Sequence, residues 1–214
     1  MLIFEILLSP NDPAESKKYK MKNFFIHESS YIEESAKVGK GTKIWHFSHV
    51  MANCELGKNC NIGQNVVISP NVKLGENVKI QNNVSIYTGV IAEDNVFIGP
   101  SVVFTNIINP RSSVNRRGEY VKTILCEGSS IGANSTIICG VIIGKYSLIG
   151  AGSVVTKNVQ NYSLVVGNPA RHVGWVSQYG NKLKFDESGF AICNESKQKY
   201  VLLKNEVKLI DETT

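Results

Sequence analysis

Four histidines, a knot of arginines and five scattered cysteines are the residues of this 214-residue chain best suited to chemistry. His46 and His49 stand three residues apart in Trp45-His46-Phe47-Ser48-His49, with His27 and His172 far to either side. An imidazole titrates near neutrality, so it can take a proton from an attacking group. Zinc would need three histidines converging on one point, and only two share a stretch here. Arg111, Arg116, Arg117 and Lys122 fall within Asn109–Ile124 against a single carboxylate, Glu119. Guanidinium and ammonium groups donate charge-assisted bonds to phosphate oxygens, so this segment suits a phosphate-bearing ligand. Cysteines 54, 60, 126, 139 and 193 are odd in number and lack CxxC spacing. That argues against a disulfide framework and a zinc ribbon, and for a reducing compartment.

Composition narrows the field. A 43% hydrophobic and 19% charged chain is neither disordered nor collagenous. No run of about 18 apolar residues offers a bilayer span. The formal charge of +5 is too mild for a nucleic-acid-binding domain. It is also localised: segment 109–124 carries a net +3, which accounts for the whole surplus of residues 26–160. Residues 1–25 stand apart. Met1–Leu8 is apolar except for Glu5, prolines follow at 10 and 13, and Lys17, Lys18, Lys20 and Lys22 come last. A signal peptide has its charge before the apolar run, so we expect a flexible arm or an upstream start preceding Met21, and a cytoplasmic protein.

The elements that must position these residues come from a repeat. From Ile26 one residue in six is aliphatic for fourteen cycles, through Ile44, Ile62, Ile80 and Ile98 to Phe104, and the pattern resumes from Leu125 to Val155. Eighteen of the twenty positions are Ile, Leu or Val, which neither a helix nor a plain strand would give. Three residues later, fourteen of twenty hexads carry Asn or Gly, the residues that best tolerate positive φ. Short strands joined by sharp corners close a triangle every 18 residues, and stacked triangles pair their strands at about 4.8 Å. Six hexads break the corner rule, at Ser29, Ser35, Phe47, Ser101, Ile107 and Tyr146. Stacking by 18 places His46, Gln64, Asn82 and Pro100 in one column, and His49, Val67, Ser85 and Val103 in another. The unusual groups are thus expected beside the basic loop, where rule-breaking tends to mark function.

Ile98 to Leu125 spans 27 residues, which reads as one coil plus an insertion of nine within 109–124. A long loop leaving a rigid solenoid more often serves ligand or subunit contact than stability. Pro169 should end the last coil, lacking a backbone donor. In the tail, Leu183–Phe185 and Phe190–Cys193 flank Asp186–Gly189 as an expected hairpin, with a further strand at Lys199–Lys204.

The repeat resembles the hexapeptide-repeat acyltransferase family. Val166-Gly167-Asn168-Pro169-Ala170-Arg171 is similar to a common ending of that family. The runs I44-W-H-F-S-H-V50, I80-Q-N-N-V-S-I-Y87, F104-T-N-I-I-N-P-R-S112, G132-A-N-S-T-I137, G150-A-G-S-V154 and G174-W-V-S-Q-Y-G180 resemble its nucleotide-sugar 3-N-acetyltransferases. The resemblance implies an all-β fold, a left-handed parallel β-helix of about seven 18-residue coils over 26–172, with one inserted loop and a small tail at 173–214. It implies a homotrimer, acetyl-CoA as co-substrate without a metal, and a nucleotide-activated amino sugar as partner, with no nucleic acid or membrane. Asn106 is the group implied to orient the amine, with His49 as alternative proton acceptor. Asn82, Asn83 and Arg111 are implied to meet the sugar nucleotide. Ala133 and Ala151 are implied to line the pantetheine path, and Lys157 and Arg171 are candidates for phosphate contact.

Rival readings differ in chemistry. An O-acetyltransferase would need His49 to deprotonate a hydroxyl, and a γ-type carbonic anhydrase would need a third converging histidine. A scaffold without catalysis would leave the polar breaks and the basic loop without purpose.

Overall fold

Each hexad folds as a two-residue strand and a corner, in a computed structural model that describes residues 23–210. One strand residue points out and the next points in: Lys79 is exposed and Ile80 is fully buried. The strands stack into three parallel faces. The first runs from Phe25–Ile26 through Lys43–Ile44, Asn61–Ile62, Lys79–Ile80, Phe97–Ile98, Ser130–Ile131 and Leu148–Ile149 to Ser163–Val166. The second holds Tyr31–Ile32, His49–Val50, Val67–Ile68, Ser85–Ile86, Val103–Phe104, Thr136–Ile137 and Val154–Val155. The third holds Lys37–Val38, Glu55–Leu56, Lys73–Leu74, Val90–Ala92, Thr123–Leu125 and Ile142–Ile143. The registers step by 18, as in Ile44↔Ile62 and Ile62↔Ile80, in keeping with the left-handed β-helix expected.

The lumen is the core. Ile44, Ile62, Ile80, Ile98, Ile131 and Ile149 form one buried column, and Val66, Val72, Val78, Val84 and Val96 fill the second inward position of their hexads. Each such burial stabilises by roughly 1.5–3 kcal/mol, which is how a chain of two-residue strands holds together. Asparagine corners turn with φ near +58°, as at Asn53 and Asn65, and stack side chain to side chain: Asn65 Nδ2 donates to Asn83 Oδ1 at 2.9 Å. Phe47, Ser101 and Tyr146 adopt the same left-handed turn although their residue types do not favour it.

Two expectations need correction. Ala92 pairs with Leu125, a step of 33, so the insertion is fifteen residues and not nine. The spacing of 18 still holds at Asn106 over Thr88, and the spacing of 33 begins by Thr123 beside Val90. Phe104 and Leu125 lie on successive faces, and counting from Ile98 hid one side of the triangle. In the tail, Leu183 pairs with Trp175 and not with the Phe190 strand. Asp186 Oδ1 instead accepts from the amides of Ser188 and Phe190 and closes that turn on itself. The hairpin that forms is Lys199–Leu203 with Glu206–Ile210, joined through Lys204 and Asn205, both at positive φ. Phe190–Ile192 adds a third strand, and Trp175, Leu183, Ala191, Cys193, Tyr200 and Val207 form a second, small core. Ser163–Val166 reverses at Gly167–Ala170 and returns antiparallel as Arg171–Val176, so the coil does end at Pro169. The arm expected at 1–25 lies outside the described residues as far as residue 22, and Phe25 already sits in the first strand. No helix among the described residues is long and apolar enough to cross a membrane.

Candidate active site

The edge between the first and second faces carries three of the six rule-breaking corners, at Ser29, Phe47 and Ser101. Here the amide of each corner residue bonds to the coil before: Asn65 N to His46 O, Asn83 N to Gln64 O, Ser101 N to Asn82 O, Asn134 N to Pro100 O and Gly152 N to Ala133 O. His46, Gln64, Asn82, Pro100, Ala133 and Ala151 therefore form one continuous column, as the spacing predicts. Asn82 turns back beneath its own coil, and its Oδ1 accepts from the Gln64 amide at 2.9 Å. Only a glycine at 63 permits this, because a Cβ there would meet Asn82 Oδ1 at 2.7 Å. Asp94 and Asn161 repeat the device over Gly75 and Gly144 on the third edge. Asn82 Oδ1 is thus committed to the fold while its Nδ2 is left unengaged among the described residues. Asn83 is a left-handed corner within the asparagine ladder. A groove of about 290 Å³ opens beside this column, lined by Trp45, His46, Gln64, Gln81 and Asn82 among others.

The histidines divide. His27 stacks on His46 with centroids 3.5 Å apart, and its Nδ1 accepts from the Ser29 amide. His49 instead points outward from the second face. Its Nε2 lies 3.3 Å from Glu33 Oε1, in a contact lacking hydrogen-bond alignment, and Tyr31 meets the ring edge-on.

Asn106 occupies the opposite edge, between the second and third faces. Phe104 anchors the segment in the lumen, and Thr105 Oγ1 accepts from the Cys139 amide of the next coil at 2.9 Å. Asn106 follows at the root of the insertion, where its carbonyl accepts from the Val121 amide and closes the excursion. Its Nδ2 reaches Thr88 O only at 3.5 Å, and its Oδ1 makes no hydrogen bond among the described residues. Within the loop Arg116 is tied down by Glu119 at 2.9 Å and by Asn109 O. The Arg111 guanidinium bonds only the neighbouring Pro110 carbonyl among the described residues and stays exposed. Phe47 and Ser101 were expected beside this loop. They lie instead on the other edge, because three corners share each coil and sequence proximity does not say which edge a hexad reaches.

A cavity of about 340 Å³ closes the C-terminal end, lined by Lys157, Ser163, Arg171 and His172 among others. Buried Ser163 places its Oγ 2.6 Å from His172 Nδ1, a pairing that sequence reasoning missed because nine residues and a chain reversal separate the two. Two cations beside a hydrogen-bonded Ser–His pair suit a phosphate there. Ala133 and Ala151 leave the nearby edge nearly bare, which suits a slender chain laid along it. The structure thus joins Lys157 to Arg171 and aligns Asn82 with Ala133 and Ala151. Asn106 is one face away, up to about 20 Å for a six-residue side.

Comparison with known proteins adds three findings. The bacterial transferase hexapeptide pattern, of six repeats, matches residues 35–70 and 122–157, and the hexapeptide repeat of succinyl-transferase matches 55–88. The dTDP-3-amino-3,6-dideoxy-alpha-D-galactopyranose 3-N-acetyltransferase of Aneurinibacillus thermoaerophilus is 49% identical over 79 residues, 37% of this chain and 41% of that protein. The galactoside O-acetyltransferase of Lactococcus lactis is 35% identical over 85 residues, 38% of this chain and 41% of that protein. The matched part of this chain thus spans about two fifths of the length of these two curated relatives. Among solved structures, the acetyltransferase domain of PglB from Neisseria gonorrhoeae with acetyl coenzyme A aligns at a TM-score of 0.48 and 20% identity, over 71% of this chain and 58% of that one.

Proposed function

We propose, from the premise that the chain belongs to the hexapeptide-repeat transferase family, that it is an acetyl-CoA-dependent N-acetyltransferase acting on a nucleotide-linked 3-amino sugar. The observation that carries this reading is Asn106, an amide with an unclaimed oxygen held at the root of the one large insertion. The 49% identity to an amino-sugar 3-N-acetyltransferase supports it. A sugar amine with a pKa near that of an α-amino group, about 7.7–8.0, is partly neutral at pH 7. It needs positioning more than a strong base. Asn106 Oδ1 accepts one amine hydrogen and aims the nitrogen lone pair at the thioester carbonyl. The C–N bond forms, the C–S bond breaks, and the amine proton leaves to the CoA sulfur or to water. Lys157 and Arg171 hold the cofactor's phosphates, Ala133 and Ala151 border its pantetheine, and Arg111 with Asn82 and Asn83 meets the sugar nucleotide.

The site is completed between copies of the chain in a homotrimer. Outward positions on the second face are Tyr31, His49, Val67, Ser85, Val103, Thr136 and Val154, with no Lys, Arg, Asp or Glu among them. The third face instead shows Lys37, Glu55 and Lys73, and the first shows Lys43 and Lys79. Packing the second face against neighbours brings one copy's Asn82 edge toward another's Asn106 edge. Val103→Lys would place a charge in that contact, so sedimentation should show monomer and acetyl transfer should vanish together. Five unpaired thiols support a cytoplasmic location.

Thiol release with acetyl-CoA and a panel of UDP- and dTDP-linked amino sugars tests the activity, and turnover requiring the amine is the expected result. The Glu33 carboxylate beside His49 favours a second reading, O-acetylation with an imidazole base. Turnover on hydroxyl acceptors that dies with His49→Gln would select it.

A further inference from the structure

Of the groove beside Trp45, the proposed acetyl transfer uses only Asn82. We propose that the groove seats the base of a nucleoside diphosphate, with Trp45 as an aromatic wall, Phe47 at the rim against His46 with ring centroids 6.1 Å apart, and Lys43 and Lys79 meeting the two phosphates. This rests on the reading that the acceptor is nucleotide-linked, and assigns the nucleotide to the edge between the first and second faces.

Four observations carry it. Trp45 Nε1 donates to Asn61 Oδ1 of the next coil at 2.9 Å, and Phe25 backs the ring at 5.3 Å. The indole is therefore fixed while 37% exposed, a stacking surface whose ordering is complete before a ligand arrives. Phe47 holds φ at 58° in a corner where this chain otherwise prefers Asn or Gly, and remains 63% exposed. A bulky side chain kept in a left-handed turn without packing inward is strain that the fold does not use.

The groove's polar lining suits a base edge. Gln64 and Gln81 have no side-chain hydrogen bond among the described residues, and Asn82 has only its oxygen engaged. Primary amides each offer a donor and an acceptor, which complements the acceptor–donor–acceptor imide edge of uracil or thymine. Finally, Lys43 and Lys79 flank Asn61 in register on the outer first face, at about 4.8 Å per coil. Neither lysine makes an ion pair among the described residues, so both are free for phosphate oxygens.

The test uses the full-length protein titrated with dTDP and with UDP, without sugar or acetyl-CoA, followed by calorimetry and tryptophan fluorescence. Saturable binding with quenching is expected in wild type, and quenching should be absent in Trp45→Leu. Phe47→Asn installs the corner residue used elsewhere in the solenoid, so its melting temperature should hold or rise while affinity falls about tenfold or more, the scale of one lost base stack. Inorganic pyrophosphate should bind at least about tenfold more weakly than dTDP for the same reason. Unchanged nucleotide affinity in both Phe47→Asn and Trp45→Leu overturns the proposal, as does pyrophosphate binding as tightly as dTDP. Lower affinity in Phe47→Asn together with a lower melting temperature also overturns it, by making Phe47 structural. If those variants bind nucleotide normally while the enzyme still acetylates nucleotide amino sugars, the groove falls and the activity stands. If wild type binds no nucleotide and acetylates only free sugars, the nucleotide-linked substrate and the groove fall together.

Discussion

The edge between the first and second faces changes character along its length while its backbone does not. Its N-terminal half presents His46, Gln64 and Asn82, with Trp45 and Phe47 beside them. Its C-terminal half presents Pro100, Ala133 and Ala151. The same corner hydrogen bond, about 2.9 Å long, runs through both, as Asn65 to His46 and as Asn134 to Pro100. A solenoid thus separates stability from recognition: inward residues and left-handed corners support every coil alike, and the outward residue is free to vary. We read the polar half as the acceptor's end and the bare half as the path of acetyl-CoA.

That contrast can be broken at several points, and the largest effect is expected at the reacting end. Asn106→Ala should lower kcat at least about tenfold, since a lost positioning contact is expressed in the transition state. Steady-state kinetics with near-native KM values would agree, and wild-type turnover would remove Asn106 from the mechanism. Ala151→Leu fills the bare half, so KM for acetyl-CoA should rise about tenfold while KM for the sugar nucleotide stays put, a split that reflects lost ground-state binding alone. A rise in both would mean that the two halves are not separate. His49→Gln should change N-acetylation by less than about threefold, because a partly neutral amine does not depend on a base.

Corner substitutions ask whether the backbone truly treats both halves alike. Asn83→Ala in the polar half and Gly152→Ala in the bare half both place alanine at positive φ. Nothing lies within 4 Å of a Cβ added at Gly152, so strain alone is at issue there. Each should cost about 1–2 kcal/mol in denaturant unfolding, and very unequal losses would show that one half bears more of the fold. The smallest effect concerns the third edge. Burial, helped by the hydrogen bond to Glu127, pushes the Tyr146 phenol up to about 12. A group whose pKa is raised on folding contributes stability that is complete below its ordinary value of 10 and lost as pH climbs toward 12. Tyr146→Phe should therefore flatten that part of the alkaline unfolding profile.

Much of this was legible in the residues. The period of six named the lumen residues as far as Val159 but not Val165, which joins Ile149 by a step of 16. Asn and Gly marked thirteen corners that the backbone turns as expected, and Asn158 is the exception, its Oδ1 accepting from the Ile142 amide. The column of His46, Gln64 and Asn82 followed from spacing alone. The insertion's length and the edge it leaves from did not, because an interruption in a period of six loses count of which of three faces comes next. Only the pairing of Ala92 with Leu125 restores it. The tail was read least well: its strands follow no shared period, and Leu183 chose Trp175 over its sequence neighbour.

By itself the sequence determined the repeat, the core and the position of the cationic surplus, since all three depend on residue type at a fixed spacing. Tertiary structure alone decided which residues share an edge. It set Phe47 apart from the basic loop, stacked His27 on His46, and closed Lys157, Arg171 and the Ser163–His172 pair around one cavity. The physical reason is closure: a coil that bends three times returns distant residues to contact while sending near neighbours to different faces.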